Sequence, residues 1–159
     1  MTCFRLFVCA GLAFSAMASS SASAADVAFV GPSGWSHADV PAPTDPNRAF
    51  AQWHLAGDIS TVTFIKDSTT TYPDALEHIH KNFSDNKIKP SIDRDVPCRG
   101  TVAHVVEFAT GPEGKKVVIN RMLVPTGAGI STITYARSDG SEYDLDVRNA
   151  LAEFCSATP

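Results

Sequence analysis

Residues 100–140, GTVAHVVEFATGPEGKKVVINRMLVPTGAGISTITYARSDG, constrain the fold more than any other stretch. Three runs rich in β-branched residues alternate with Gly/Pro turns, which predicts an antiparallel meander over about 101–109, 115–124 and 129–138. Strand alternation puts Val102, Val106 and Phe108 on one face and Val105, Ile119 and Tyr135 on the other. A sheet packed on one side only shows a cleaner alternation, so the meander is expected to be covered on both faces.

The flanking segments supply the cover and more strands. FAQWHLAGD and ISTVTFIKD read as two strands around a Gly57-Asp58 turn, and Val27–Val30 as a short strand before them. Residues 31–48 carry four prolines and two glycines and read as an irregular surface segment. TTYPDALEHIHKNFSDN changes to helical spacing: Thr71 caps, Asp74 follows three residues on, and Leu76, Ile79 and Phe83 form the stripe with Ala75 beside it. Residues 85–100 read as a polar connection. A C-terminal helix follows, with Ser141 and Asp144 spaced as a capping box and Tyr143, Val147, Ala150, Leu151 and Phe154 on one face. The order β-β-β-α-β-β-β-α predicts an α+β domain: an antiparallel sheet of about six strands, a mid-chain helix and a C-terminal helix.

The N-terminus reads as an export signal. Arg5 precedes a 13-residue apolar run, Leu6 to Ala18, and Ser23 and Ala25 suit cleavage before Asp26. The run is too short to span a membrane, which takes roughly 20 apolar residues. A lipid-anchor reading through Cys9 is disfavoured by the bulky Phe7 and Val8 before it. Residues 1–25 are therefore assigned to a signal peptide and 26–159 to one domain, exported to the periplasm or secreted, with no membrane span after cleavage. Loss of Arg5 moves the formal net charge from −4 to −5. An acidic chain with no basic stripe is a poor nucleic-acid binder.

Cys3 and Cys9 leave with the signal, so Cys98 and Cys155 remain. Two cysteines in an exported chain read first as one disulfide. Helical spacing supports this by turning Cys155 toward the sheet. A nucleophilic Cys98 needs a base beside it. His104, the nearest histidine in sequence, lies about 20 Å away if 98–104 runs straight. No CxxC or Cys/His cluster marks a metal site.

The layout resembles the Mog1/PsbP-like superfamily, an antiparallel sheet between helices. The resemblance spans most of 27–155, through the strand-rich start, the mid-chain helix, the meander with its TITYARSDG run and the terminal helix. Members of that superfamily mostly act as binding or assembly modules, so the resemblance implies a non-enzymatic role.

Candidate site residues follow from the meander. Folding its hairpins around Pro112 and Gly127 pairs His104 with Asn120 and Asn120 with Thr134. That forms a polar row on an otherwise apolar face: either a hydrogen-bond ladder or the floor of a ligand pocket. Glu107, Arg121 and Arg137 fall on the opposite face beside Tyr135. Trp35 is either a plug for the core edge or an exposed partner contact. His78 and His80 diverge by about 160° around a helix and cannot share a metal from that helix. Asn82-Phe83-Ser84 matches a glycosylation sequon, relevant only in a eukaryotic secretory route. No phosphate loop, dinucleotide fingerprint or protease motif is present, and no cofactor or metal is expected. The expected function is an exported, non-catalytic module binding a protein or a small ligand. The alternative is a small hydrolase-like enzyme using His104 with a carboxylate such as Glu107, or Cys98. A third, weaker reading is metal binding through histidines.

Overall fold

Two hairpin turns set the register of the sheet. In the computed structural model, which describes residues 28–41 and 43–157, β6 (Val117–Thr126) turns into β7 (Gly129–Ser138) across Gly127 and Ala128 alone. β5 (Thr101–Thr110) closes onto β6 with Thr110 opposite Val117. Both loops hold an even number of residues, so neither hairpin is centred on a single residue as the sequence reading placed it. The first hairpin shifts by three residues and the second by one. An odd shift moves residues to the other face of the sheet.

The remaining strands extend this core on either side. β1 (Ser36–His37), β2 (Arg48–His54) and β3 (Thr61–Asp67) add to β7, and β4 (Ile92–Cys98) adds to β5. The result is one open antiparallel sheet of seven strands in the order β1-β2-β3-β7-β6-β5-β4. The expected strand at Val27–Val30 does not form at 28–30, and Val27 lies outside the described residues. β1 forms instead, inside the segment read as irregular.

β4 corrects a second expectation, the polar connection over 85–100. Ile92, Val96 and Cys98 alternate toward one face, and Asp93, Asp95 and Pro97 toward the other. Its charges and proline suit an outer strand, where half of the backbone groups face no partner strand. Arg99 and Gly100, both with positive φ, form the two-residue turn from β4 into β5. The chain therefore reverses just after Cys98 instead of running straight toward His104.

Among the described residues two helices join the sheet. Thr71 caps α1 (Tyr72–Asp85) through its Oγ1, which accepts from the Asp74 amide, and a proline sits in the first turn. α2 (Leu145–Ser156) is capped by Asp144, which accepts from the amides of Asp146 and Val147. Ser141, expected to cap, instead donates to the Ser138 carbonyl at 2.7 Å. No helix among the described residues is long and apolar enough to cross a membrane.

The core is divided by the sheet. On one face Val62, Phe64, Met122, Ile133 and Tyr135 pack against Val147, Phe154 and other residues of α2. Phe29 and Trp35 of the N-terminal segment join this layer. Phe29 packs its ring on Trp53, Phe64 and Phe154, and Trp35 sets its edge against Tyr135. Trp35 is only 9% exposed, so it plugs the core edge and does not present an indole to a partner. On the other face a smaller cluster joins Tyr72, Ala75 and Ile79 of α1 to Leu123 and Ile130. Further along α1, Phe83 meets Phe108.

A disulfide links Cys98, at the end of β4, to Cys155 in the last turn of α2. The Arg99 amide also donates to the Cys155 carbonyl at 2.7 Å. At a separation of 57 residues, the crosslink stabilises by about 4 kcal/mol through loss of unfolded-chain entropy. It holds the outermost strand of the sheet against the helix packed beneath.

Candidate functional site

The register dissolves the expected row of His104, Asn120 and Thr134. His104 lies opposite Leu123, Asn120 lies between Glu107 and Tyr135, and Thr134 lies opposite Arg121. His104 and Thr134 share the α1 face, whereas Asn120 points to the α2 face and meets the Tyr143 hydroxyl at 3.5 Å. Arg121 and Ile119 change sides as well. Arg121 donates to Thr134 Oγ1 on the α1 face. There it extends a polar line across four strands, Gln52–Thr63–Thr134–Arg121. Burial pushes the Arg121 guanidinium below its ordinary range.

What the fold builds around His104 comes from β4. Asp95 lies directly opposite it in the β4–β5 ladder, with Asp93 two residues away on the same face. Asp95 Oδ1 lies 2.7 Å from His104 Nδ1, and Asp93 Oδ1 lies 2.8 Å from Nε2. An ionised carboxylate only accepts, so with both acids ionised both ring nitrogens donate. The His104 side chain is 9% exposed.

α1 brings a second histidine to the rim. His80 Nε2 lies 3.6 Å from the same Asp93 oxygen, and the two imidazoles stand edge to face at 5.7 Å. One donor atom from each of His80, Asp93 and His104 falls within 4.8 Å of the others. The side chains of His80 and Asp93 are 51% and 38% exposed, so solvent reaches this group from outside. Tyr72 stands at the start of the same helix. Burial, and then the negative charge of Asp95, raise its hydroxyl above the ordinary range.

Tyr72 also lines a cleft of about 290 Å³ at the sheet end where β3 leads into α1 and β6 turns into β7. Ser68, Thr69, Thr70, Thr71 and Thr126 line it, with Pro125, Ala128 and Gly129. Its wall is organised by Asp67, whose carboxylate accepts from the amides and hydroxyls of Thr69 and Thr70 and from Arg48. Those bonds, the Thr69 hydroxyl foremost, hold the Asp67 carboxyl well below the usual range. Gly129 lets the chain pass there: with φ at +147°, a Cβ would stand 2.1 Å from the Asp67 carbonyl oxygen.

On the α2 face, Arg137 meets Glu107 at 3.3 Å, donates to the Ser141 carbonyl and lies over the Tyr143 ring. Tyr143 is pushed up to about 12, first by burial and then by Tyr135 and Glu107. This cluster is packed into the core, and Glu107 is on the wrong face to assist His104.

The sequence reading singled out His104 and missed its partners. Asp93 and Asp95 lay in the stretch read as connection, because Arg94 interrupts the apolar alternation of Ile92, Val96 and Cys98 that would mark a strand. His80 was set aside because His78 cannot join it. Its actual neighbour arrives from the sheet. No family model matches the sequence, and no curated protein is significantly similar to it.

Proposed function

We propose that the chain is an exported, non-catalytic binding module, braced by its disulfide, that engages a protein partner or small ligand on the α1 face of the sheet. The reading takes residues 1–25, which lie outside the described residues, as the export signal. It places the domain with the Mog1/PsbP-like modules it resembles in layout. On this reading the sheet is a covered layer, with α2 and the N-terminal segment on one side and α1 over part of the other.

The observation that carries the reading is the state of His104. A general base needs a free ring nitrogen within reach of the proton it takes, and both nitrogens of His104 are engaged by carboxylates. The other candidate catalytic groups fare no better. Cys98 is oxidised and 2% exposed. Glu107 is paired with Arg137 on the far face. The Asp95–His104 pair favours the enzyme alternative, because it resembles the orienting half of a catalytic triad. Against that, it is Asp93 that meets Nε2, where a triad places a hydroxyl or thiol.

The test is turnover. Purified exported protein, assayed against chromogenic esters, phosphoesters and peptides, is expected to show no rate above buffer. Its N-terminal residue is expected to be Asp26. Turnover that disappears in His104→Gln would establish the enzyme alternative.

A further inference from the structure

We infer that His80, Asp93 and His104 form a binding site for one divalent transition-metal ion, with Asp95 as the group that orients His104. This rests on the binding-module reading and names the ligand class for the α1 face.

Donor type is the first argument. Two imidazoles and one carboxylate form a mixed nitrogen–oxygen set, which suits zinc and its first-row neighbours and not calcium or magnesium. Distance is the second. Bonds of about 2.0–2.2 Å to a four-coordinate ion hold its ligand atoms roughly 3.3 Å apart. Here two of the separations are 2.8 and 3.6 Å, and all lie within 4.8 Å. Small rotations of two part-exposed side chains, His80 and Asp93, bring the set to bonding distance.

The surroundings of His104 give the third argument. A metal-bound histidine commonly donates its other nitrogen to a carboxylate, which fixes the ring and raises its basicity. Asp95 takes that position at Nδ1, 2.7 Å away, and the ladder pairing of β4 with β5 holds it there. Nε2 is thereby turned toward Asp93 and His80. The ion takes the place of the proton on Nε2, which leaves to solvent. His104 is fixed in the sheet and His80 stands at the rim on a helix. The ion therefore enters from the solvent side and ties α1 to the sheet edge. Three protein ligands leave a fourth position for water or for a donor group of a partner.

The anchoring also separates this group from a chance surface cluster. Its members come from three elements, and the central ring is buried. Residues 80, 93 and 104 are joined by neither sequence spacing nor a single turn.

The experiment is a calorimetric titration of untagged, chelator-treated protein with Zn²⁺, repeated with Co²⁺ to read the ligand field. One equivalent is expected to bind, with the Co²⁺ absorption of a nitrogen–oxygen site. His80→Ala changes an exposed helix residue and preserves the fold. It is expected to weaken binding at least tenfold. Asp95→Asn is expected to weaken it roughly 10–100-fold, as loss of an orienting carboxylate does at other sites. His78→Ala, on a different side of α1, is expected to change nothing. Absence of stoichiometric binding in folded wild-type protein, or binding unaffected by His80→Ala, would overturn the metal assignment. Neither result bears on the non-catalytic reading, which falls only to turnover lost in His104→Gln.

Discussion

Asp67 shows how a single carboxylate organises a loop. It accepts four bonds from Thr69 and Thr70 and one from Arg48, and it is nearly buried. These contacts favour the ionised form, so the folded carboxyl lies below the value of 3.8 that it has when unperturbed. The stabilisation is complete above that unfolded value and is lost as pH falls through the folded one. Asp67→Asn is therefore expected to lower the melting temperature clearly at pH 7, with the gap to wild type narrowing at pH 3. A gap independent of pH would contradict the assignment. His104 was legible from sequence as an unusual polar residue on an apolar face. Its partners Asp93 and Asp95 were not, because they lay in the stretch read as connection, and the row expected in their place failed because facing depends on register. A turn of two residues in place of one moves every side chain of the next strand to the other face. Asn120 and Thr134 fit a ladder on paper and lie on opposite faces in the fold.

At the scale of elements, α1 was legible almost to the residue, because its cap, its first-turn proline and its apolar stripe all agree. The meander strands were legible for the same reason, as long runs between Gly/Pro turns. β4 was not legible: an outer strand with charges on its exposed face lacks the apolar alternation that marks a half-buried strand. Its place was signalled only by Cys98. The Cys98–Cys155 pairing followed from the expectation of export and from the cysteine count, and its mechanical sense emerges from the fold. β4 is an edge strand carrying both carboxylates that hold His104, and the disulfide fastens that edge to α2. The double variant Cys98→Ala/Cys155→Ala is expected to lose roughly 2–5 kcal/mol in urea unfolding. It is also expected to show faster hydrogen exchange in β4 than in β6. Unchanged stability would mean that the crosslink adds nothing to an edge already held by its ladder.

For the whole molecule, an α+β fold with one disulfide could be read from the chain, because periodicity, turns and cysteine count agree. The division of the sheet into an α2 face and an α1 face could be read only in part. The α2 face carries the larger aromatic and aliphatic core, with Asn120 and the Glu107–Arg137 pair packed beside it. The α1 face mixes a small apolar cluster, a polar line, a cleft lined by serine and threonine residues, and the His104 group. That asymmetry is the ground for the proposal that one face is structural and the other recognises a ligand. The most direct measurement of this division is nitrogen-15 NMR of the histidine rings during titration with Zn²⁺. The account predicts that the ring nitrogens of His80 and His104 shift together and saturate at one equivalent, while His37, His54 and His78 stay in place. Shifts confined to those three, or no shift in any ring, would contradict it.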